Sequence, residues 1–139
     1  MPSSRYGFQD VYTANDLHTY ALSAWPFSRP FDSSKVETRD ADFSQVHFAA
    51  VMIFHDSRDW GRDAQFIADV LRAKNGIFGT LDDNVGKPDF KQLPLYFSHN
   101  DLLWGNDFSV SRFGQGAFRA AVENVWLVSQ SFRAVKKPR

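Results

Sequence analysis

Residues 46–54, VHFAAVMIF, form a continuous apolar run with β-branched and aromatic members. That is the pattern of a strand buried on both faces, and it predicts the central strand of a sheet. From Asp59 onward the period changes. Phe66, Ile67, Val70 and Leu71 recur at helical spacing, Asp63 falls in the first turn and Arg72 and Lys74 in the last, and Asn75-Gly76 supplies a stop. Residues 93–98, LPLYFS, predict a second buried strand, whose early proline puts its first residues near a sheet edge. Residues 114–128, GQGAFRAAVENVWLV, predict a helix with Phe118, Val122, Val125 and Trp126 on one face, followed by a basic tail, RAVKKPR.

Between these segments, residues 76–81 (GIFGTL) predict a short strand and residues 82–92 a loop rich in turn residues. Upstream, a short helix is expected to begin near Asn15 or Asp16, both good caps, ahead of an aromatic, proline-rich turn at residues 25–31 and a polar linker at 32–45. The order strand, helix, strand, helix points to an α/β fold, a central sheet flanked by helices. At 139 residues the chain fits one domain, or part of one.

Composition sharpens this picture at one point. Aromatic residues make up 16% of the chain, fourteen of them Phe, and rings in such number either fill a core or cover a surface that a partner hides. Self-association through exposed aromatics follows as an expectation, and the Phe118, Val122 and Trp126 face is expected to find part of its partner outside this chain. Sixteen basic residues balance sixteen acidic ones, which disfavours nucleic acid as a partner. The absence of cysteine excludes disulfides, thiolate metal sites and a cysteine nucleophile, and favours an intracellular or organellar setting. No run approaches the roughly 20 apolar residues of a membrane span, and the first ten residues lack the apolar core of a signal peptide, so a soluble chain is expected.

Candidate chemistry gathers behind the two predicted strands. In FHDSRDWGRD, residues 54–63, the aspartates 56, 59 and 63 are explained by helix capping and the macrodipole alone. The functional alternative is that His55, Asp56, Arg58 and Asp59 lie beyond the carboxyl end of a strand, where open α/β sheets bind ligands, with Arg58 able to fork onto an anion. SHND, residues 98–101, follows the second strand in the same way. His99 and Asp101 match half of a two-histidine, one-carboxylate metal site, but the third ligand would have to come from His18, His47 or His55 upstream. Gly114-Gln115-Gly116 before a helix offers amides to an anion or, more simply, a hinge. Gly86-Lys87-Pro88 suggests a phosphate-contacting lysine or a solvated loop. Asp40 and Asp42 have the spacing of an aspartate-nucleophile phosphatase, yet no apolar strand precedes them.

Taken together, RYGFQDVYTANDL, WPF, FHDSRDWGRDAQFIADVL, LPLYFSHNDLLWGNDF and RFGQGAFRAAVENVW resemble the haloacid-dehalogenase-type hydrolases of class IIA, the group of the cat eye syndrome critical region protein. The resemblance spans residues 6–126 and rests on long strings in order rather than on one short motif. It implies a Rossmann-like core with a strand-borne Asp nucleophile, a second Asp, a Thr or Ser, a Lys in a Gly-Lys-Pro motif and magnesium-binding acids, closed over by a mobile α/β cap.

By that resemblance residues 1–126 are an incomplete cap with its exit into the core, and residues 127–139 a divergent basic tail. The catalytic residues and the magnesium ligands are then absent from this chain, and Gly86-Lys87-Pro88 is a decoy because the family's lysine lies after the last helix. The resemblance implies that His55, Asp56, Arg58, Asp59, Asn100 and Asp101 face a small phosphorylated substrate, that Gly114 and Gly116 mark the return hinge, and that the setting is mitochondrial, within glycerophospholipid metabolism. Two other readings stand beside it. One is a binding or regulatory module that pairs through its aromatic face. The other is an independent enzyme built on His55, Asp56, His99 and Asp101.

Overall fold

A computed structural model describes residues 7, 8, 10–32 and 34–131 of the chain. The basic tail at 133–139 lies outside the described residues. The chain forms two compact units, Met1–Phe43 and Ser44–Arg139, and the boundary falls inside the predicted polar linker.

In the first unit α1 spans Ala14–Tyr20. Its cap is Thr13, one residue ahead of the helix, closed by a capping box in which the Thr13 hydroxyl accepts from the Asp16 amide and Asp16 accepts from the Thr13 amide at 2.6 Å. The N-cap is therefore neither Asn15 nor Asp16, although Asp16 closes the box from the third helical position. Both are buried and also hold loops, Asn15 Oδ1 accepting from the Phe31 amide at 2.7 Å and Asp16 Oδ1 from the Arg39 amide at 2.7 Å. Phe43, fully buried, takes Tyr12 and Tyr20 edge-on at 5.0 and 5.2 Å, which gives this unit its own small core with Leu17.

The second unit carries the strand, helix, strand, helix order. Its elements are β1 at Val51–Ile53, α2 at Trp60–Leu71, β2 at Leu95–Phe97, β3 at Leu103–Trp104, β4 at Arg112–Phe113 and α3 at Gln115–Ser131. β1 and β2 pair in parallel, Val51 opposite Leu95 and Ile53 opposite Phe97, while β3 and β4 form a short antiparallel hairpin. The mixture of helix and small sheets is α/β in content.

The central strand is shorter than its apolar run. Only Val51–Ile53 ladders, and it is not buried on both faces: Val51 and Ile53 pack inward with Leu95 and Phe97 against Ile67, Leu71, Phe118 and Val122, whereas Met52 and Tyr96 turn outward and are exposed. Both long helices thus pack on one face of the β1–β2 sheet, and the outer face of that pair is uncovered among the described residues. The apolar residues of 46–50 are spent differently, as when the Phe48 amide donates to the Gly76 carbonyl at 2.9 Å.

Residues 76–81 are turns and not a strand. The α2 helix stops earlier than the sequence suggests, at Leu71 with Arg72 as its C-cap, so Lys74 is not in its last turn; Asn75 and Gly76, at φ of 54° and 70°, turn the chain just beyond it, and a Cβ on Gly76 would collide with the Phe48 backbone. Phe78 from this segment packs edge-on against Phe66 at 5.7 Å. On α3, Phe118 and Val122 are buried against α2 within the chain itself, so this part of the helix needs no outside partner. Val125, predicted on the same face, is exposed, as are Leu127 and Val128, because the seam runs through positions 118, 122, 126 and 129. No helix among the described residues is long and apolar enough to cross a membrane.

Candidate functional site

The two polar blocks singled out in the sequence both follow the carboxyl ends of β1 and β2, and since these strands are parallel the blocks lie at the same end of the sheet. The strand ends are tied together there. The Ser98 amide donates to the Ile53 carbonyl at 2.9 Å, and the Ser98 hydroxyl lies 3.3 Å from both the Phe54 carbonyl and Gln115 Oε1, to one of which it donates.

The first block is largely consumed by the start of α2. Asp59 is the cap, its Oδ1 accepting from the Arg62 amide at 3.0 Å and its carbonyl from the Asp63 amide at 2.9 Å. Asp63 accepts from the Ser57 hydroxyl at 2.6 Å and pairs with the buried guanidinium of Arg62 at 2.9 Å. What remains free for a ligand is His55, Asp56 and Arg58, all exposed; His55 Nδ1 donates to the Asp56 carbonyl at 2.9 Å.

The second block is positioned from outside, by α3. Gln115 is fully buried, and its Oε1 accepts from the His99 amide at 3.1 Å. Arg119 donates to Asn100 Oδ1 at 2.9 Å, is braced by Glu123 at 2.7 Å and lies over the Phe97 ring at 5.7 Å. His99 Nδ1 stands 3.6 Å from Asp101 Oδ2, a contact that becomes an ion pair when the imidazole is protonated. Asn100 and Asp101 are exposed.

Gly114 and Gly116 make this arrangement possible. A Cβ on Gly116 would land on the Asn100 carbonyl and one on Gly114 on the Asp101 carbonyl, while their amides donate to Asp101 and Leu102 carbonyls at 2.9 Å each. The Ala117 and Phe118 amides also end on a backbone carbonyl, that of Gly114. Four of the amides at this turn are thus already committed, which leaves the anion-binding alternative for the GQGA segment few donors.

The remaining candidates are dispersed. His18 is buried in the first unit with its Nε2 donating to the Trp25 carbonyl at 3.0 Å, and His47 Nδ1 donates to the Asn75 carbonyl at 3.0 Å. Among the described residues no three His, Asp or Glu side chains converge on a point that could hold a metal ion. Lys87 sits in an exposed turn and donates to Asn84 Oδ1 at 3.2 Å. Asp42 accepts from the Tyr20 hydroxyl at 3.3 Å, and Asp40 is exposed.

Gln115 and Arg119, which hold the second block, are not among the residues that the sequence singles out; its one signal for them is a polar residue set between two glycines. Beside that block the β3–β4 hairpin is conspicuously apolar and open to solvent, with Leu102, Leu103, Phe108, Val110 and Phe113 each more than half exposed. The exposed groups at the sheet end can bind a polar or anionic ligand through Arg58, the imidazoles and Asn100, with an apolar wall beside them.

No family model matches the chain. It is 42% identical over 125 residues, 88% of its length, to the mitochondrial hydrolase YKR070W of Saccharomyces cerevisiae, of which it covers 35%. It is 30% identical over 126 residues, 89% of its length, to a cardiolipin synthase (CMP-forming)/mitochondrial hydrolase fusion protein of Schizosaccharomyces pombe, of which it covers 20%. The chain therefore spans about a third of the one and a fifth of the other. This chain is similar to a portion of proteins named as mitochondrial hydrolases.

Proposed function

We propose that the chain is the lid-like, substrate-facing portion of a mitochondrial hydrolase of the haloacid-dehalogenase type, class IIA, acting on a small phosphorylated compound and carrying no catalysis of its own. The observation that carries this reading is the match of nearly nine-tenths of the chain to one stretch of a mitochondrial hydrolase. The second relative has a hydrolase part joined to a cardiolipin synthase, which supports a substrate linked to glycerophospholipids. Both names support a mitochondrial location.

In this role His55, Asp56, Arg58 and Asn100 contact the substrate, Asp59 and Asp101 shape the surface, and Gly114 and Gly116 form the return hinge. A lid of this kind orients a ligand and excludes water; bond cleavage needs a nucleophile aimed at phosphorus. Magnesium would neutralise phosphate charge in the family's reaction, but the described residues do not converge into a site that fits it, so no step here runs through it.

The test is a chimera in which this chain replaces the matching stretch of the Saccharomyces cerevisiae hydrolase, assayed on a panel of phosphomonoesters with magnesium. Retained hydrolysis, with Arg58→Ala raising KM while kcat holds, supports the lid. A chimera that folds and hydrolyses with kinetics indifferent to Arg58, His55 and Asn100 would remove it. The second reading, a binding module, is favoured by the exposure of Phe27, Phe54 and Phe113 at 80%, 69% and 70%. It forecasts a chimera with no activity and a chain that still binds a protein partner.

A further inference from the structure

The register of β1 with β2 fixes which backbone groups of β2 are spent. The Val51 amide donates to the Pro94 carbonyl and the Ser98 amide to the Ile53 carbonyl, each at 2.9 Å, so Tyr96 directs its amide and carbonyl to β1. Leu95 and Phe97 direct theirs to the opposite edge, where no strand pairs among the described residues. Leu95, Tyr96 and Phe97 bring no charge and no bulge to that edge, whose guards are its shortness, three residues, and Pro94 at its start. Along it runs a groove of about 530 Å³, floored by Leu71, Leu93, Val122 and Trp126 and walled on α3 by Arg119 and Glu123.

We infer that this edge is the interface with a second copy of the chain, β2 pairing antiparallel with β2 about a two-fold axis at Tyr96. The complementarity is specific. With Tyr96 opposite Tyr96 of the second copy, Leu95 faces Phe97 of the second copy as a hydrogen-bonded pair, and vice versa, so all four free groups on each edge are satisfied at once. Tyr96 against Tyr96 is a non-hydrogen-bonded aromatic pair, the closer kind. The two-fold also turns the α3 walls antiparallel. Arg119 stands over Phe97 and Glu123 lies one turn further on, so an axis at the height of Tyr96 falls between them and sets Arg119 of each copy toward Glu123 of the other. The result is a four-stranded sheet, β1-β2-β2-β1, from two pairs too small to stand alone. This inference is independent of the proposed hydrolase role.

The chain has no cysteine, so single-cysteine variants report the geometry cleanly. Tyr96→Cys places two thiols on Cβ atoms about 5 Å apart across the axis, and Met52→Cys places them three strand spacings, ~14 Å, apart on the same face. Wild-type chain is expected to sediment as a dimer at micromolar concentration, Tyr96→Cys to crosslink under mild oxidation and Met52→Cys not to. Tyr96→Lys and Glu123→Arg, both at exposed positions, are expected to raise the dimer dissociation constant at least tenfold while circular dichroism stays unchanged. A monomer at 200 µM overturns the inference, whether its β2 amides exchange freely or are protected by a strand of its own chain. So does a dimer that Tyr96→Lys leaves intact, or one that crosslinks better through Met52→Cys.

Discussion

The two polar blocks at the end of the β1–β2 sheet look alike in sequence and are held in different ways. Residues 55–59 are fixed locally: Asp59 caps the helix that follows directly, and Asp63 is tied to Arg62 and Ser57 within a few residues. Residues 98–101 are fixed at a distance, by Gly114 and by Gln115, Gly116 and Arg119 on the helix that follows it, after the whole β3–β4 hairpin. A locally capped block keeps its shape if the rest of the molecule loosens. A clamped block moves with the helix that clamps it, which suits the proposed role in a lid that responds to closure.

The sharpest way to break this contrast is at Gly116. A methyl group there meets the Asn100 carbonyl, with backbone on both sides and no flexible side chain to yield. Gly116→Ala is expected to cost about 3 kcal/mol, the upper range for overpacking, in urea unfolding, with amide shifts concentrated at residues 98–101 and nearly none at 55–59. Gln115→Leu comes next. It removes the acceptor for the His99 amide, an expected loss of roughly 1–2 kcal/mol, partly offset because the buried Nε2 of Gln115 has no hydrogen-bond partner among the described residues.

Asp59→Ala probes the other side of the comparison. Loss of the cap is expected to cost about 1 kcal/mol and to fray the first turn of α2 in hydrogen exchange, leaving residues 98–101 unchanged. If Asp59→Ala perturbed the second block as much as Gly116→Ala does, the two blocks would be one unit and the distinction would fail.

This difference also explains what the sequence made legible. Caps, stops and helix periods are local, and for α2 the start was readable to the residue, at Asp59, whereas the helix ends at Leu71, short of the Asn75-Gly76 signal, which turns the chain just beyond it. The extent of β1 was not, because an apolar run records burial and not pairing; Phe48 and its neighbours meet the Gly76 turn instead of a strand. Asn15 and Asp16 look like caps because the same oxygens that cap a helix also staple loops, and only the tertiary path of residues 31 and 39 tells which. The roles of Gln115 and Arg119 were out of reach for the same reason, since their partners are 16 and 19 residues away.

The smallest expected effect concerns α2 itself. Burial pushes the Asp69 carboxyl above its ordinary value of 3.8, against the opposing hydrogen bonds from Gln65 and Arg72. A carboxyl with a raised folded-state value binds its proton more tightly when folded, so the stability it lends is complete below that ordinary value and is lost as pH rises through the folded one. Thermal melts of wild type and Asp69→Asn across the acid range should show the wild type losing ground to the variant as pH rises in that window, with a constant offset above it. A difference that grew in favour of wild type with rising pH would reverse the assignment.

The proposed role is that of a polypeptide that faces a substrate without cleaving it. The direct measurement is phosphate release from a panel of phosphomonoesters by this chain alone, with magnesium, at enzyme concentrations high enough to see a single turnover. The expected result is no release above the blank. Release that vanishes in Asp56→Asn or Asp101→Asn would contradict the account, because the chain would then hold its own chemistry.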